Sequence, residues 1–218
     1  MNGRRILEGV NVLDFTRVIA GPYCTRMLAD MGANVFKIDA IPESPRTRTA
    51  GSAGNNMGKR SITLDLKHPE GIKIAHELMA LADVVVENFS PGVMDRLGLG
   101  YDDLKVDHHR LVFASISGFG QSGTYAHRRA YGATAHAEAG WVWVQQQAAG
   151  TGEPFAPGIT IADMAAGLSC FSGILAALYD RENTGQGQRV DVSLMDAQLS
   201  ILNEVAAAPL SGVGVDDW

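Results

Sequence analysis

Val10-Asn11-Val12-Leu13-Asp14-Phe15 runs towards Gly21-Pro22, which opens Tyr23-Cys24-Thr25-Arg26-Met27-Leu28-Ala29-Asp30, and Asn34-Val35-Phe36-Lys37-Ile38-Asp39 follows after Gly32. The first and last segments are short and rich in β-branched residues, as strands are, and each ends in polar residues. Pro22 suits the first turn of the intervening helix, and Gly32 stops it. Strand, short helix, strand makes a crossover unit, which predicts a parallel sheet with helices packed on it. No G-x-G-x-x-G follows the first strand, so Asp39 at the end of the second is no dinucleotide fingerprint acid.

The alternation continues outward. Ser61–Leu66 reads as a short strand, and Pro69–Leu81 as a helix with Ile72, Ala75, Leu78 and Met79 on one buried face. Val84–Val86 reads as a central strand ending in the turn Glu87-Asn88-Phe89-Ser90-Pro91-Gly92. Ligands of open α/β sheets gather at carboxyl ends of strands, which marks this turn as a site candidate. Short helices are expected at Val93–Leu97 and Tyr101–Lys105, then a strand at Leu111–Ile116 leading into Ser117-Gly118-Phe119-Gly120. Ala135–Trp143 mixes helix and strand signals, and Gly150–Gly158 reads as loop. Arg189–Leu194 alternates with period two, as a half-buried or edge strand does, before a helix over Met195–Ala208. Residues 40–60 form a long irregular segment of the kind that tends to carry function. Lys59 and Arg60 at its end suit either a solvated pair or phosphate contacts.

The segment Ile161-Ala162-Asp163-Met164-Ala165-Ala166-Gly167 introduces an apolar run through Tyr179 that reads as a buried core helix. Asp163 falls at its cap or in its first turn, where backbone N–H groups and the helix dipole favour a carboxylate. Two readings stand side by side: a plain capping aspartate, or a carboxylate held at a pocket mouth as nucleophile or acid–base group.

Composition bounds the function. The 218 residues carry a net charge of -6, with 46% hydrophobic and 19% charged residues and 25 glycines, a loop-rich globular make-up. Lys and Arg are dispersed, without the basic block a nucleic-acid surface needs. Met1–Glu8 has no secretory h-region, and no uninterrupted apolar run reaches the length of a membrane span. Cys24 and Cys170 are expected as buried free thiols of a reducing compartment, which makes the cytoplasm the default location. No internal repeat and no metal-ligand spacing is present. Leu210–Trp218 carries no element signal, and the terminal Trp reads as a cut through a longer chain.

In order, Val12-Leu13-Asp14-Phe15, Ala20-Gly21-Pro22, Gly32-Ala33-Asn34-Val35, Lys59-Arg60-Ser61-Ile62 and Leu64-Asp65-Leu66-Lys67 make a specific series. Ala82-Asp83-Val84, Val86-Glu87-Asn88-Phe89, Pro91-Gly92, Asp163 with Gly167, Gly185-Gln186-Gly187-Gln188 and Asp196-Ala197 continue it. The chain thereby resembles the N-terminal half of the family III CoA-transferases, relatives of formyl-CoA transferase and the alpha-methylacyl-CoA racemases. The resemblance covers residues 7–205. It implies an α/β, Rossmann-like large domain, a smaller domain, and two chains interlocked as a homodimer. On that plan residues 1–205 belong to the large CoA-binding domain, and 206–218 begin a linker to the small one.

The resemblance also implies a role for each matching residue. Asp163 becomes the nucleophile that carries an aspartyl-CoA thioester between an acyl-CoA donor and a carboxylic acid acceptor. Contacts to coenzyme A, a substrate rather than a resident cofactor, fall on Val18, Ala20, Leu64, Lys67, Asn88, Phe89, Arg96 and Arg129. No metal, nucleic acid or membrane is implied. Ile19 stands where formyl-CoA transferase has a glutamine near the reacting acyl group, which points away from formyl or oxalyl substrates, and Ala40 stands where that enzyme has an arginine at the adenine end, a place the 46–60 loop is expected to serve. Ala130 occupies the position of the racemase histidine, and neither His127 nor His136 falls on that motif. Arg46, Arg48, His127 and Arg128 suggest a carboxylate-tailed substrate such as succinate, whereas Trp141, Trp143 and Gln145–Gln147 suggest a broader pocket. The alternatives are an acyl-CoA racemase, or a truncated or structural subunit without activity of its own.

Overall fold

The computed structural model describes residues 3, 5–41, 54–150, 152–154 and 158–203. Six strands form one parallel sheet: β1 (Asn11–Asp14), β2 (Asn34–Asp39), β3 (Arg60–Thr63), β4 (Val84–Glu87), β5 (Val112–Ser117) and β6 (Arg189–Ser193). Their order is β3-β2-β1-β4-β5-β6, and every neighbouring pair is parallel. The chain winds outward from β1 in one direction, then returns to β1's other side to lay down β4, β5 and β6. A crevice therefore opens between the carboxyl ends of β1 and β4.

Alternation along each strand feeds two cores. Val12, Val84, Val86, Val112 and Ala114 face the layer made by α1 (Ala20–Asp30), α5 (Gly132–Glu138), α7 (Ile161–Thr184) and α8 (Leu194–Ile201). Leu13, Phe15, Val85 and Phe113 face the opposite layer, where Ala75 and Met79 of α2 (Pro69–Met79) pack with Met94 of α3 (Val93–Arg96) and Leu104 of α4 (Tyr101–Leu104). β4 and β5 are buried throughout, which is why they read as unbroken apolar runs rather than alternating ones. β3 and β6 are the exposed edges.

The helix α7 crosses the first layer against α1. Gly167 makes the approach close, since a Cβ there would lie 2.6 Å from the Ala20 carbonyl oxygen and 2.9 Å from the Tyr23 ring. The free thiols of Cys24 and Cys170 meet in this interface, fully buried, and burial pushes the Cys24 thiol well above its usual pKa. By length and hydropathy alone α7 would suffice to cross a bilayer, but 56% of its apolar window is packed inside the fold.

Two expectations change. Ala135–Trp143 holds no strand: it is the end of α5 and the start of α6 (Trp141–Ala149), separated by Gly140 at φ 83°. The core helix α7 is not buried all round, because Leu168 and Tyr179 are 51% and 76% exposed. Arg46, Arg48, the loop at 42–53 and everything from 204 onward, including the proposed linker, lie outside the described residues.

Candidate active site

β1 ends at Asp14, and the chain leaves it through Thr16, Arg17, Val18 and Ile19 before α1 begins. Asp14 is fully buried. Its Oδ1 accepts the Thr16 N–H at 2.8 Å and the Thr16 hydroxyl at 2.5 Å, while Oδ2 accepts the Thr25 hydroxyl at 2.7 Å and Lys59 Nζ at 3.0 Å. Lys37 Nζ lies 4.0 Å from Oδ1 and donates to the Thr16 carbonyl at 2.5 Å. Burial drives the carboxyl pKa upward, but the two ammonium groups and the two threonines outweigh it and hold Asp14 below its ordinary value. Desolvation acts on Lys59 as well and lowers its pKa, against the pull of Asp14. Lys59 is thus neither a solvated cation nor a phosphate ligand, since its side chain is 1% exposed. Its neighbour Arg60 stacks over Phe36, 5.3 Å from the ring centroid.

From the end of β4, Asn88 reaches across the crevice to this segment. Its Oδ1 accepts the Arg17 N–H at 2.7 Å and its Nδ2 donates to the Arg17 carbonyl at 2.7 Å. The Arg17 guanidinium lies over the Phe89 ring, 5.2 Å from its centroid. Phe89's own N–H donates to Glu87 Oε2 at 2.8 Å, so a buried carboxylate shapes the turn from below.

Asp163 approaches from the other side as the third residue of α7. It is 8% exposed, and it does not cap the helix, because Thr160 holds that position. Its carboxylate faces the backbone N–H groups of Ala20, at the start of α1, and Gly132, at the start of α5. Burial raises its pKa, and those amides together with its own N–H pull in the opposite direction by stabilising the charged form. Gly132 is required for this approach, since a Cβ there would collide with Asp163 Oδ2. Just behind, His136 Nε2 accepts the N–H of Ala162 at 3.0 Å, which places the imidazole proton on Nδ1. Burial lowers the His136 pKa, so the ring is a neutral prop under the first turn of α7.

These elements enclose a cleft of about 310 Å³ lined by Arg17, Val18, Asn88, Phe89, Arg129 and Asp163, among others. The structure brings Asp163, Val18, Ala20, Asn88, Phe89 and Arg129 together around this cleft. Leu64, Lys67 and Arg96 are not among the lining residues; Leu64 is buried with Leu13 and Ile38 in the second core. Arg128 also lines the cleft, but its guanidinium is engaged by Glu138 and stacked on Phe119 and Tyr125. Trp141, Trp143 and the glutamines of α6 do not line it. The arrangement offers one desolvated carboxylate, two amide donors beside it, and guanidinium groups at the rim for an anionic ligand. No group of three His, Cys, Asp or Glu side chains among the described residues is placed to hold a metal ion.

Sequence reasoning passed over Arg17, Gly132 and the buried pairing of Asp14 with Lys37, and it placed Lys59 at the surface or on a phosphate rather than on Asp14. One signal was present: an acid at a strand end with Thr two residues later is the pattern of a side chain that bonds its own backbone.

The sequence matches CoA-transferase family III over residues 7–216. The chain belongs to that family. This family III chain is 42% identical over 231 residues to an acyl-CoA transferase of Fusarium pseudograminearum, covering 97% of the chain and 50% of that protein. It is 37% identical to the human succinyl-CoA:glutarate CoA-transferase, again across 97% of the chain and 50% of the relative. Among solved structures, a hypothetical protein of Mycobacterium tuberculosis, Rv3272, superposes with a TM-score of 0.86 at 33% identity, covering 96% of the family III chain and 60% of the other. The chain spans about half the length of these curated relatives.

Proposed function

We propose that the protein transfers coenzyme A from an acyl-CoA donor to a carboxylic acid acceptor, with Asp163 as the covalent carrier. The observation that carries this reading is the desolvated Asp163 carboxylate facing the Ala20 and Gly132 amides in the wall of the cleft. In the first step a carboxylate oxygen attacks the donor thioester carbonyl, the C–S bond breaks, and CoA thiolate leaves behind a mixed anhydride. The thiolate then attacks the Asp163 acyl carbon, which releases the donor acid as its carboxylate and leaves an aspartyl-CoA thioester. The acceptor carboxylate attacks that thioester, the C–S bond breaks, and CoA thiolate leaves a second anhydride between Asp163 and the acceptor. Thiolate attack on the acceptor's acyl carbon completes the new acyl-CoA and frees Asp163. One thioester replaces another, so no nucleotide hydrolysis is needed. Each addition places negative charge on an oxygen beside the carboxylate, where preorganised amides are most effective.

Two-base racemisation fits this cleft less well. No histidine is among its described lining residues, position 130 is alanine, and His136 Nε2 is occupied by the Ala162 N–H. Within transfer chemistry we favour C4–C5 dicarboxylates. Arg17 supplies cationic lining for a distal carboxylate, and relatives named for succinate, glutarate and malate support that choice. The interlocked homodimer and a boundary near residue 205 belong to the same reading.

Succinyl-CoA with glutarate, followed by chromatographic detection of glutaryl-CoA, tests it directly. Asp163→Ala is expected to lower turnover by about a thousandfold or more while CoA still binds. Retention of a tenth of wild-type turnover would exclude the covalent route, and solvent deuterium entering the alpha carbon without an acceptor would favour racemisation.

A further inference from the structure

Val18 is the one non-glycine residue with positive φ among the described residues, at 68°. A β-branched side chain is poorly suited to the left-handed region, so this conformation persists only if its surroundings impose it. The chain on its N-terminal side supplies the means. Both backbone polar groups of Thr16 are held, its N–H by Asp14 and its carbonyl by Lys37. Both backbone polar groups of Arg17 are held as well, by the two ends of the Asn88 amide. On its C-terminal side the Ile19 carbonyl accepts the Tyr23 N–H at 2.8 Å as α1 begins. Val18 itself is 59% exposed, so its own packing does little to impose the turn.

We propose that Asp14, with its two lysines, and Asn88 form a two-point clamp that forces Val18 into the left-handed turn, and that this turn aims the Ala20 N–H at Asp163. Asn88 and Asp14 are then positioning residues, acting through the backbone. Asp14 grips from inside the sheet, where Lys59 Nζ also ties it to the Pro22 carbonyl in α1 at 3.0 Å. Asn88 grips from the neighbouring strand across the switch point. Without either grip the strained turn relaxes, and the Ala20 amide swings away from the carboxylate. The catalytic consequence rests on the transfer reading above; the clamp does not.

The test is a double-mutant cycle of Asn88→Ala and Val18→Gly in the intact protein, read by urea unfolding and by CoA transfer. Asp14→Asn probes the other grip, but its core position makes it the variant at risk of misfolding, so the surface pair decides. Val18→Gly removes the strain in the clamped protein and raises the urea midpoint. In the Asn88→Ala background the strain is already released, so the same substitution is expected to raise the midpoint by less than half as much. Activity moves the other way. Asn88→Ala alone is expected to lower kcat about tenfold or more, in line with the population cost of a strained backbone. Adding Val18→Gly restores at least about threefold of that, because glycine reaches the turn unaided. Equal midpoint shifts in both backgrounds would overturn the clamp. A double variant no faster than Asn88→Ala would overturn the positioning of Ala20. Absence of transfer with any donor would strike the functional reading alone, leaving the unfolding cycle to judge the clamp.

Discussion

Replacing Glu87 by glutamine should change the pH dependence of stability in a way its position dictates. Glu87 closes β4, is 3% exposed, and accepts the Phe89 N–H at 2.8 Å. Burial raises its pKa from 4.5 to about 7, opposed by hydrogen bonds from Ser115 and Phe89 and by Arg189, and reinforced by Asp191. Between those two values the folded protein binds a proton that the unfolded chain has lost, so stability falls as pH rises across that window. At 1.36 kcal/mol per unit, the separation corresponds to about 3 kcal/mol, absent below pH 4.5 and fully developed above pH 7. Glutamine is neutral at every pH and keeps an oxygen for the Phe89 amide. Urea unfolding of both proteins at half-unit steps from pH 4.5 to 8 gives the difference in stability, in which the other titrating groups cancel. That difference should grow in favour of the glutamine variant by about 3 kcal/mol from the acid to the alkaline end. A constant offset superimposed on that trend would only report the fit of the extra amide hydrogens. A difference independent of pH, or a wild type that gains on the variant above pH 7, would refute the argument.

Other substitutions probe the neighbouring packing. Gly167→Ala places a methyl against the Ala20 carbonyl, with backbone rather than a flexible side chain in the way. It should cost about 1–3 kcal/mol in chemical unfolding and lower transfer activity, because α1 must shift away from α7. His136→Ala leaves the Ala162 N–H without its acceptor and should cost about 1–3 kcal/mol by the same measurement. Since burial lowers the His136 pKa, its contribution is present above pH 6.5 and fades as the medium is acidified, so the gap between the two proteins should narrow towards acid pH.

The sheet was readable because its signals are local. Val84–Val86 and Leu111–Ile116 are continuous apolar runs of strand length, Asn34–Asp39 follows a helix stop, and short connections between them leave few topologies open. Parallel pairing and the crevice at the ends of β1 and β4 follow from that alternation. The segment Ala135–Trp143 read ambiguously because its aromatic and β-branched residues favour strands, while Gly140 breaks it into two helices whose neighbours fix their type. The helix after Asp163 looked uniformly buried because apolar residues occur on all its sides. Composition alone does not say that Leu168 and Tyr179 face outward.

The site divides along the same line, between what one residue does by itself and what only a pair can do. An acid introducing an apolar helix marks Asp163 by local pattern, but its approach by the Ala20 and Gly132 amides joins three helix starts far apart in the chain. Lys59 next to a glycine reads as a surface or phosphate-binding cation. Its burial follows from Asp14, 45 residues earlier, whose carboxylate would otherwise be an uncompensated charge in the sheet. Val18 gives no sign at all, because valine is a residue that local propensity assigns to extended backbone. Its left-handed φ lies next to backbone held by Asp14 and Asn88, so this feature of the site has least trace in its own residue type. Strain of this kind is held by long-range contacts, and those contacts, rather than Val18, are where substitutions should be felt.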